Sequence, residues 1–73
     1  MYNTLKIIAK IAQKVGEEGV EVALAAVAQD KAALCDEMAD LLFHMLVLLQ
    51  AKDLNISHVL AVLARRRKGR TED

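Results

Sequence analysis

Apolar residues return every three or four positions through most of the chain, the period of a helix packed along one face. The first such stretch covers about residues 4–28, with Ile7, Ile8, Ile11, Val15 and Val22 among its repeating positions. The polar run "AQDK" interrupts it and predicts a short turn. A second stretch, about 32–51, is apolar around a wide arc: Leu34, Met38, Leu41, Leu42, Met45, Leu46, Leu48 and Leu49. One antiparallel neighbour covers only part of such an arc, so burial on two sides is expected, the second side being another subunit. After "KDLN", Asn55 is a suitable N-cap for a third helix over about 56–68. Residues 69–73, "GRTED", are expected to fray. Short links between three helices imply antiparallel neighbours. The expected fold is therefore a single all-α domain over residues 1–73, an antiparallel helical hairpin or bundle completed by oligomerisation.

One segment runs against this pattern. "KVGEEGVEVALAAV", Lys14 to Val27, places Glu17, Glu18 and Glu21 among valines and alanines. A carboxylate beside a core must be solvated, paired or bound to a cation. With Glu17 at the origin of a helical wheel, Glu21 falls at about 40°, Lys14 at about 60° and Glu18 at about 100°. On the second helix, Glu37 and Asp40 of "DEMADLLFH" lie within about 60° of each other, with His44 between them, bordering the apolar arc. Two antiparallel helices so patterned can gather several carboxylates around one point, which suits a hard divalent cation. The competing reading is a solvated acidic face with pairs such as Lys14–Glu18. His44 is open between ligand, substrate contact and satisfied core histidine, and no second histidine or cysteine nearby favours zinc. His58 is expected at the surface. Gly16 and Gly19 are either tolerated in the first helix or mark the close approach of another backbone or a ligand.

Composition narrows the class. Proline is absent, aromatics make up 3%, and the chain is 73 residues long, near the lower size limit for a self-sufficient core. Its single cysteine, Cys35, excludes an internal disulfide and reads as a small buried hydrophobe in a reducing, cytoplasmic setting. No signal peptide or membrane span is expected, since His44 breaks the apolar run "LLFHMLVLL". Charge is zero overall but uneven. Residues 1–64 hold five lysines against eight acids, net −3, and residues 65–73 hold five basic against two acidic residues, net +3. An acidic body favours a cation site over a nucleic-acid surface.

The pattern E-E-x-x-E followed by E-x-x-D resembles that of the all-α, MazG-like nucleotide pyrophosphohydrolases. "KIAQKVGEEGVEVALAA", "EMADLLFHMLVLL" and "DLNISHVLAVLARR" look like the phosphoribosyl-ATP pyrophosphohydrolase family over roughly residues 10–66. The resemblance implies a Mg²⁺-dependent enzyme, active as a homodimer or higher oligomer. Such an enzyme splits the α–β phosphate bond of phosphoribosyl-ATP, the second step of histidine biosynthesis. It maps metal ligation onto Glu18, Glu21, Glu37 and Asp40, support or water activation onto Glu17, and substrate phosphate contacts onto Lys14 and His44. Family members usually carry a further N-terminal helix and an S-Y-T-x-x-L segment. Here "MYNTLKI" holds only Tyr2 and Thr4, at shifted spacing, as expected of a shortened relative. The mechanism expected of such a site has a water attacking in line while an unbound carboxylate such as Glu17 takes its proton, and Lys14 with Arg65 or Arg66 of the basic tail steadying the leaving group. Two rivals remain: a house-cleaning nucleoside triphosphate pyrophosphohydrolase with the same acids, and a non-catalytic helical dimerisation module.

Overall fold

The computed structural model describes residues 3–71, and Tyr2 lies outside them. Three helices follow one another: α1, Thr4–Ala28; α2, Lys31–Ala51; and α3, Ile56–Thr71. Among the described residues there is no strand.

Local chemistry sets the boundaries. Asn3 caps α1, its side chain accepting from the Leu5 N–H at 2.8 Å. At the far end the Gln29 N–H closes onto the Ala25 carbonyl. Asp30 then caps α2, with Oδ1 accepting from the Ala33 N–H at 2.8 Å, so the link is only two residues long. This cap starts α2 at Lys31, one residue before the expected position. At the end of α2 the Leu54 N–H reaches the Leu49 carbonyl and the Asp53 N–H reaches the Gln50 carbonyl, the Schellman arrangement. Its left-handed position is taken by Asp53, φ 59°, in place of the usual glycine. Asn55 caps α3 through the Ser57 N–H, while His58 Nδ1 accepts from the Asn55 N–H at 3.1 Å. That is a reciprocal box with histidine in the glutamate position. Helix α3 runs through Gly69 to Thr71 where fraying was expected from residue 69. The run Arg65–Lys68 consists of good helix formers, and no proline stops it.

Helices α1 and α2 form an antiparallel hairpin. Its seam runs through enclosed and half-buried positions, among them Ile8, Ile11, Val15, Glu18, Val22 and Ala25 on α1, and Leu34, Glu37, Leu41, His44 and Leu48 on α2. Both sets alternate in steps of three and four, the spacing of helices packed near-parallel along their length. Polar residues thus occupy positions in the seam that the pattern reserves for apolar ones. Helix α3 lies apart from α1 and meets the end of α2, where Leu49, Leu54, His58, Val59, Val62, Leu63 and Arg66 line an open groove.

The hairpin leaves much apolar surface open. Ala25 is the only fully enclosed apolar residue among those described. Met38, Leu42, Met45 and Leu46 on the outer side of α2 are 41–52% exposed, so one neighbour does not cover the arc. Cys35, expected to be buried, is exposed on this outer side and shares a groove with Met38, Ala39, Leu41, Leu42 and Met45. The chain measures 51 × 34 × 15 Å, with a radius of gyration of 15.2 Å. A compact domain of this length has about 11 Å.

Candidate functional site

The helical seam positions the acids. Glu18 falls at a seam position of α1 and is 7% exposed, the most enclosed charged residue described. Glu21 follows three residues on, at the border of the seam. From α2, Glu37 enters the seam and Asp40 stands one turn further along. The spacing that forms the hairpin therefore brings acids from both helices to one stretch of it.

Their interactions are specific. Glu18 Oε1 lies 2.6 Å from Nδ1 of His44, which joins the two helices across the seam. The same nitrogen lies 3.3 Å from the backbone carbonyl oxygen of Asp40. The His44 ring meets Phe43 edge-on, with centroids 5.1 Å apart and planes at 78°. The Glu37 carboxyl is raised above the ordinary 4.5, first by the protonated form's hydrogen bonding with Glu21, then by partial burial and the charges of Glu21, Asp40 and Glu18. Acids from both helices thus share one neighbourhood, where each charge opposes ionisation of the next.

Glu17 behaves differently. It takes its partners from its own helix: Gln13 Nε2 donates to Oε2 at 3.0 Å, and Lys14 Nζ lies 3.6 Å from Oε1. The Gln13 bond and then the Lys14 charge hold its carboxyl below the ordinary value. Lys14 thus pairs with Glu17, not with Glu18, because Glu18 is turned into the seam. Sequence reasoning passed over Gln13, although a glutamine four residues before a glutamate is a recognisable helical pair.

The other expected contacts are not gathered here. Arg65 and Arg66 ride on α3, and Arg66 lines the groove at the end of α2. Among the described residues, neither forms an ion pair with the acids. His58 is exposed and spent on the α3 cap. As the side chains stand, no three of the described His, Cys, Asp or Glu residues converge on a point fit to hold a metal ion. Glu18 faces His44 and Glu21 faces Glu37, so the carboxylates are occupied with one another and with histidine.

Comparison with known proteins bears on this arrangement. Residues 2–67 match the family model described as phosphoribosyl-ATP pyrophosphohydrolase. The chain is 61% identical over 61 residues to the phosphoribosyl-ATP pyrophosphatase of Novosphingobium aromaticivorans, covering 84% of this chain and 57% of that protein. It is likewise 61% identical over 61 residues to the enzyme of that name from Azorhizobium caulinodans, covering 84% and 56%. The histidine biosynthesis bifunctional protein HisIE of Haemophilus influenzae is 58% identical over 60 residues, 82% of this chain and 27% of that protein. The chain thus spans little more than half the length of the single-function relatives and about a quarter of the bifunctional one. With the match running nearly end to end through the hairpin that carries the acids, the chain belongs to the phosphoribosyl-ATP pyrophosphohydrolase family.

Proposed function

We propose that this chain catalyses hydrolysis of phosphoribosyl-ATP to phosphoribosyl-AMP and pyrophosphate, with Mg²⁺ as cofactor. The observation that carries the reading is the gathering of Glu18, Glu21, Glu37 and Asp40 at one stretch of the α1–α2 seam, with Glu37 raised by its acidic neighbours. Four carboxylates supply the all-oxygen donor set that Mg²⁺ prefers, and their mutual repulsion is what a dication offsets. These four would hold the ion. When bound, Mg²⁺ supplies neutralisation of phosphate charge and a water of lowered pKa.

The chain's own groups account for the rest. Glu17, kept ionised by Gln13 and Lys14, is free of the cluster and able to accept the proton of the attacking water. Lys14 is half-buried beside it and offers a positive charge for a phosphate oxygen. Arg65 and Arg66 lie on α3, where they serve a leaving pyrophosphate only if a second copy or the bound substrate brings that helix to the acids.

A second copy of the chain is part of this proposal. The surface of 6161 Å² exceeds by roughly 1,700 Å² the ~4,450 Å² expected of a folded monomer of this mass. A standard interface needs only about 800 Å² from each partner. The outer face of α2, with Met38, Leu42 and Met45, is the apolar surface such a partner would cover. Among the described residues no helix is long and apolar enough to cross a membrane. A cytoplasmic setting remains part of the proposal.

The deciding experiment incubates the protein with phosphoribosyl-ATP and with a panel of deoxynucleoside triphosphates, with and without Mg²⁺, and measures pyrophosphate. Release from phosphoribosyl-ATP alone is expected. Release chiefly from the deoxynucleotides would assign the chain to the house-cleaning class. Absence of release, with no Mg²⁺-induced rise in melting temperature, would leave a dimerisation module.

A further inference from the structure

We infer that His44 is a positioning residue for Glu18, acting through Nδ1, and not a phosphate contact. This role rests on the reading of Glu18 as a cation ligand. The hydrogen on Nδ1 follows from its two neighbours. One is Glu18 Oε1 at 2.6 Å, the other the Asp40 backbone carbonyl oxygen at 3.3 Å. A carbonyl oxygen only accepts, so a bare lone pair on Nδ1 would face it repulsively. With the hydrogen on Nδ1, both neighbours are satisfied at once. The Glu18 side chain is 9% exposed, and His44 is the donor that meets it. No buried side-chain nitrogen or oxygen among the described residues lacks a partner, so removing this ring would leave an enclosed carboxylate oxygen without one.

The arrangement ties the two helices at the level of the acids. His44 stands one turn after Asp40 on α2, and its reach back to the Asp40 carbonyl fixes the ring against its own helix. From there it holds Oε1 of a residue on α1. With Oε1 engaged, Oε2 is the oxygen left to a cation. A carboxylate ligand oriented by a hydrogen-bond donor behind it binds more tightly than one free to rotate, and loss of such a donor commonly weakens metal affinity about 10–100-fold.

The test exploits the different reach of two amides. In His44→Asn the side-chain amide nitrogen sits near the place of Nδ1; in His44→Gln it sits near the place of Nε2. Binding of Mn²⁺ alone is measured by electron paramagnetic resonance on the full chain, with circular dichroism to check folding. Steady-state kinetics are then taken at saturating metal. His44→Asn is expected to hold Mn²⁺ within about threefold of the unaltered protein. His44→Gln and His44→Leu are expected to weaken it about 10–100-fold, with KM for the nucleotide unchanged at saturating metal. The opposite order, with His44→Gln binding Mn²⁺ normally and His44→Asn raising KM, would overturn the proposal in favour of a phosphate contact through Nε2. Nitrogen-15 shifts of His44 in the unaltered protein give a readout independent of any variant's folding. The Nδ1–H tautomer is expected, and Nε2–H would sink the idea. Glu37→Gln separates the two levels of inference. If the unaltered protein and Glu37→Gln both fail to bind Mn²⁺, the metal reading falls and this role with it. If only Glu37→Gln fails, the metal reading stands, and the His44 variants alone decide.

Discussion

Glu17 and Glu18 are adjacent in sequence and about 100° apart around the helix, enough to give them opposite environments. Glu18 is enclosed and bonded across the seam, whereas Glu17 stays at the surface between Gln13 and Lys14. Glu17→Gln is therefore expected to lower kcat about 100-fold or more, the scale of a lost proton acceptor. Mn²⁺ binding, measured directly, should be unchanged; a parallel loss of metal would remove Glu17 from the proton-accepting role. Glu37 carries a prediction of two signs. As a proposed ligand, Glu37→Gln should cost at least about 100-fold in Mg²⁺-dependent pyrophosphate release, no less than the loss of an outer-shell group. Without metal the same change should raise the melting temperature at pH 7, because it removes a charge repelled by Glu21, Asp40 and Glu18. The native carboxyl is raised, so the protonated form's contribution to stability is complete below 4.5 and is lost as pH rises through the folded value. The melting advantage of Glu37→Gln should thus shrink as pH falls toward 4.5. An advantage that stayed constant with pH would rule out repulsion as its cause.

At the scale of elements, α1 is a helix of 25 residues that carries two glycines in its interior. Neither Gly16 nor Gly19 has a positive φ, and a Cβ at either would meet nothing within 4 Å. Within a single copy, the backbone therefore requires glycine at neither place. Gly16→Ala should stabilise α1 by about 0.5–1 kcal/mol. That corresponds to a rise of roughly 2–8 °C in a domain of this size, read by thermal melting. A fall in melting temperature would mean that another backbone packs against Gly16 in the assembled protein. Helix α2 owes its end to Asp53 and Leu54, whose N–H groups close the last carbonyls. Leu49 and Leu54 line the same groove, the apolar contact that accompanies such a cap. This turn sets the direction in which α3 leaves the hairpin and so where Arg65 and Arg66 are carried.

The whole molecule is a thin layer, 15 Å deep, with its apolar residues distributed over both sides of α2. A hairpin buries one stripe of each helix, and a 21-residue helix apolar on a wider arc needs a second covering surface. Leu42 is 52% exposed in the single chain and belongs to the outer groove. Leu42→Glu should weaken self-association at least about tenfold, since burying a carboxylate there costs more than ~1.4 kcal/mol. Light scattering behind size exclusion, over a dilution series, reads this as a shift toward the monomer mass. An unchanged mass at every concentration would place the interface elsewhere.

Much of this was legible without coordinates, because helical period, capping residues and charge are properties of the chain itself. The repeat of apolar positions determined α1 to its boundaries, "AQDK" marked the turn after it, and Asn55 announced α3, whereas the Asp30 cap that starts α2 at Lys31 emerged only in the structure. "KVGEEGVE" and "DEMADLLFH" announced which stretches of α1 and α2 carry the acids. Tertiary structure decided which way those side chains turned. A helical wheel assigns a face but not a partner, so Lys14 could equally have paired with Glu18 until α2 enclosed that residue and left Glu17 to the lysine. His44 was open among three roles until the seam set its Nδ1 between Glu18 and the Asp40 carbonyl. Cys35 read as a core residue by composition, but the hairpin turned it outward. Local sequence sets each helix and its faces, and only the placement of the second helix against the first determines which polar atoms lose water and must find one another.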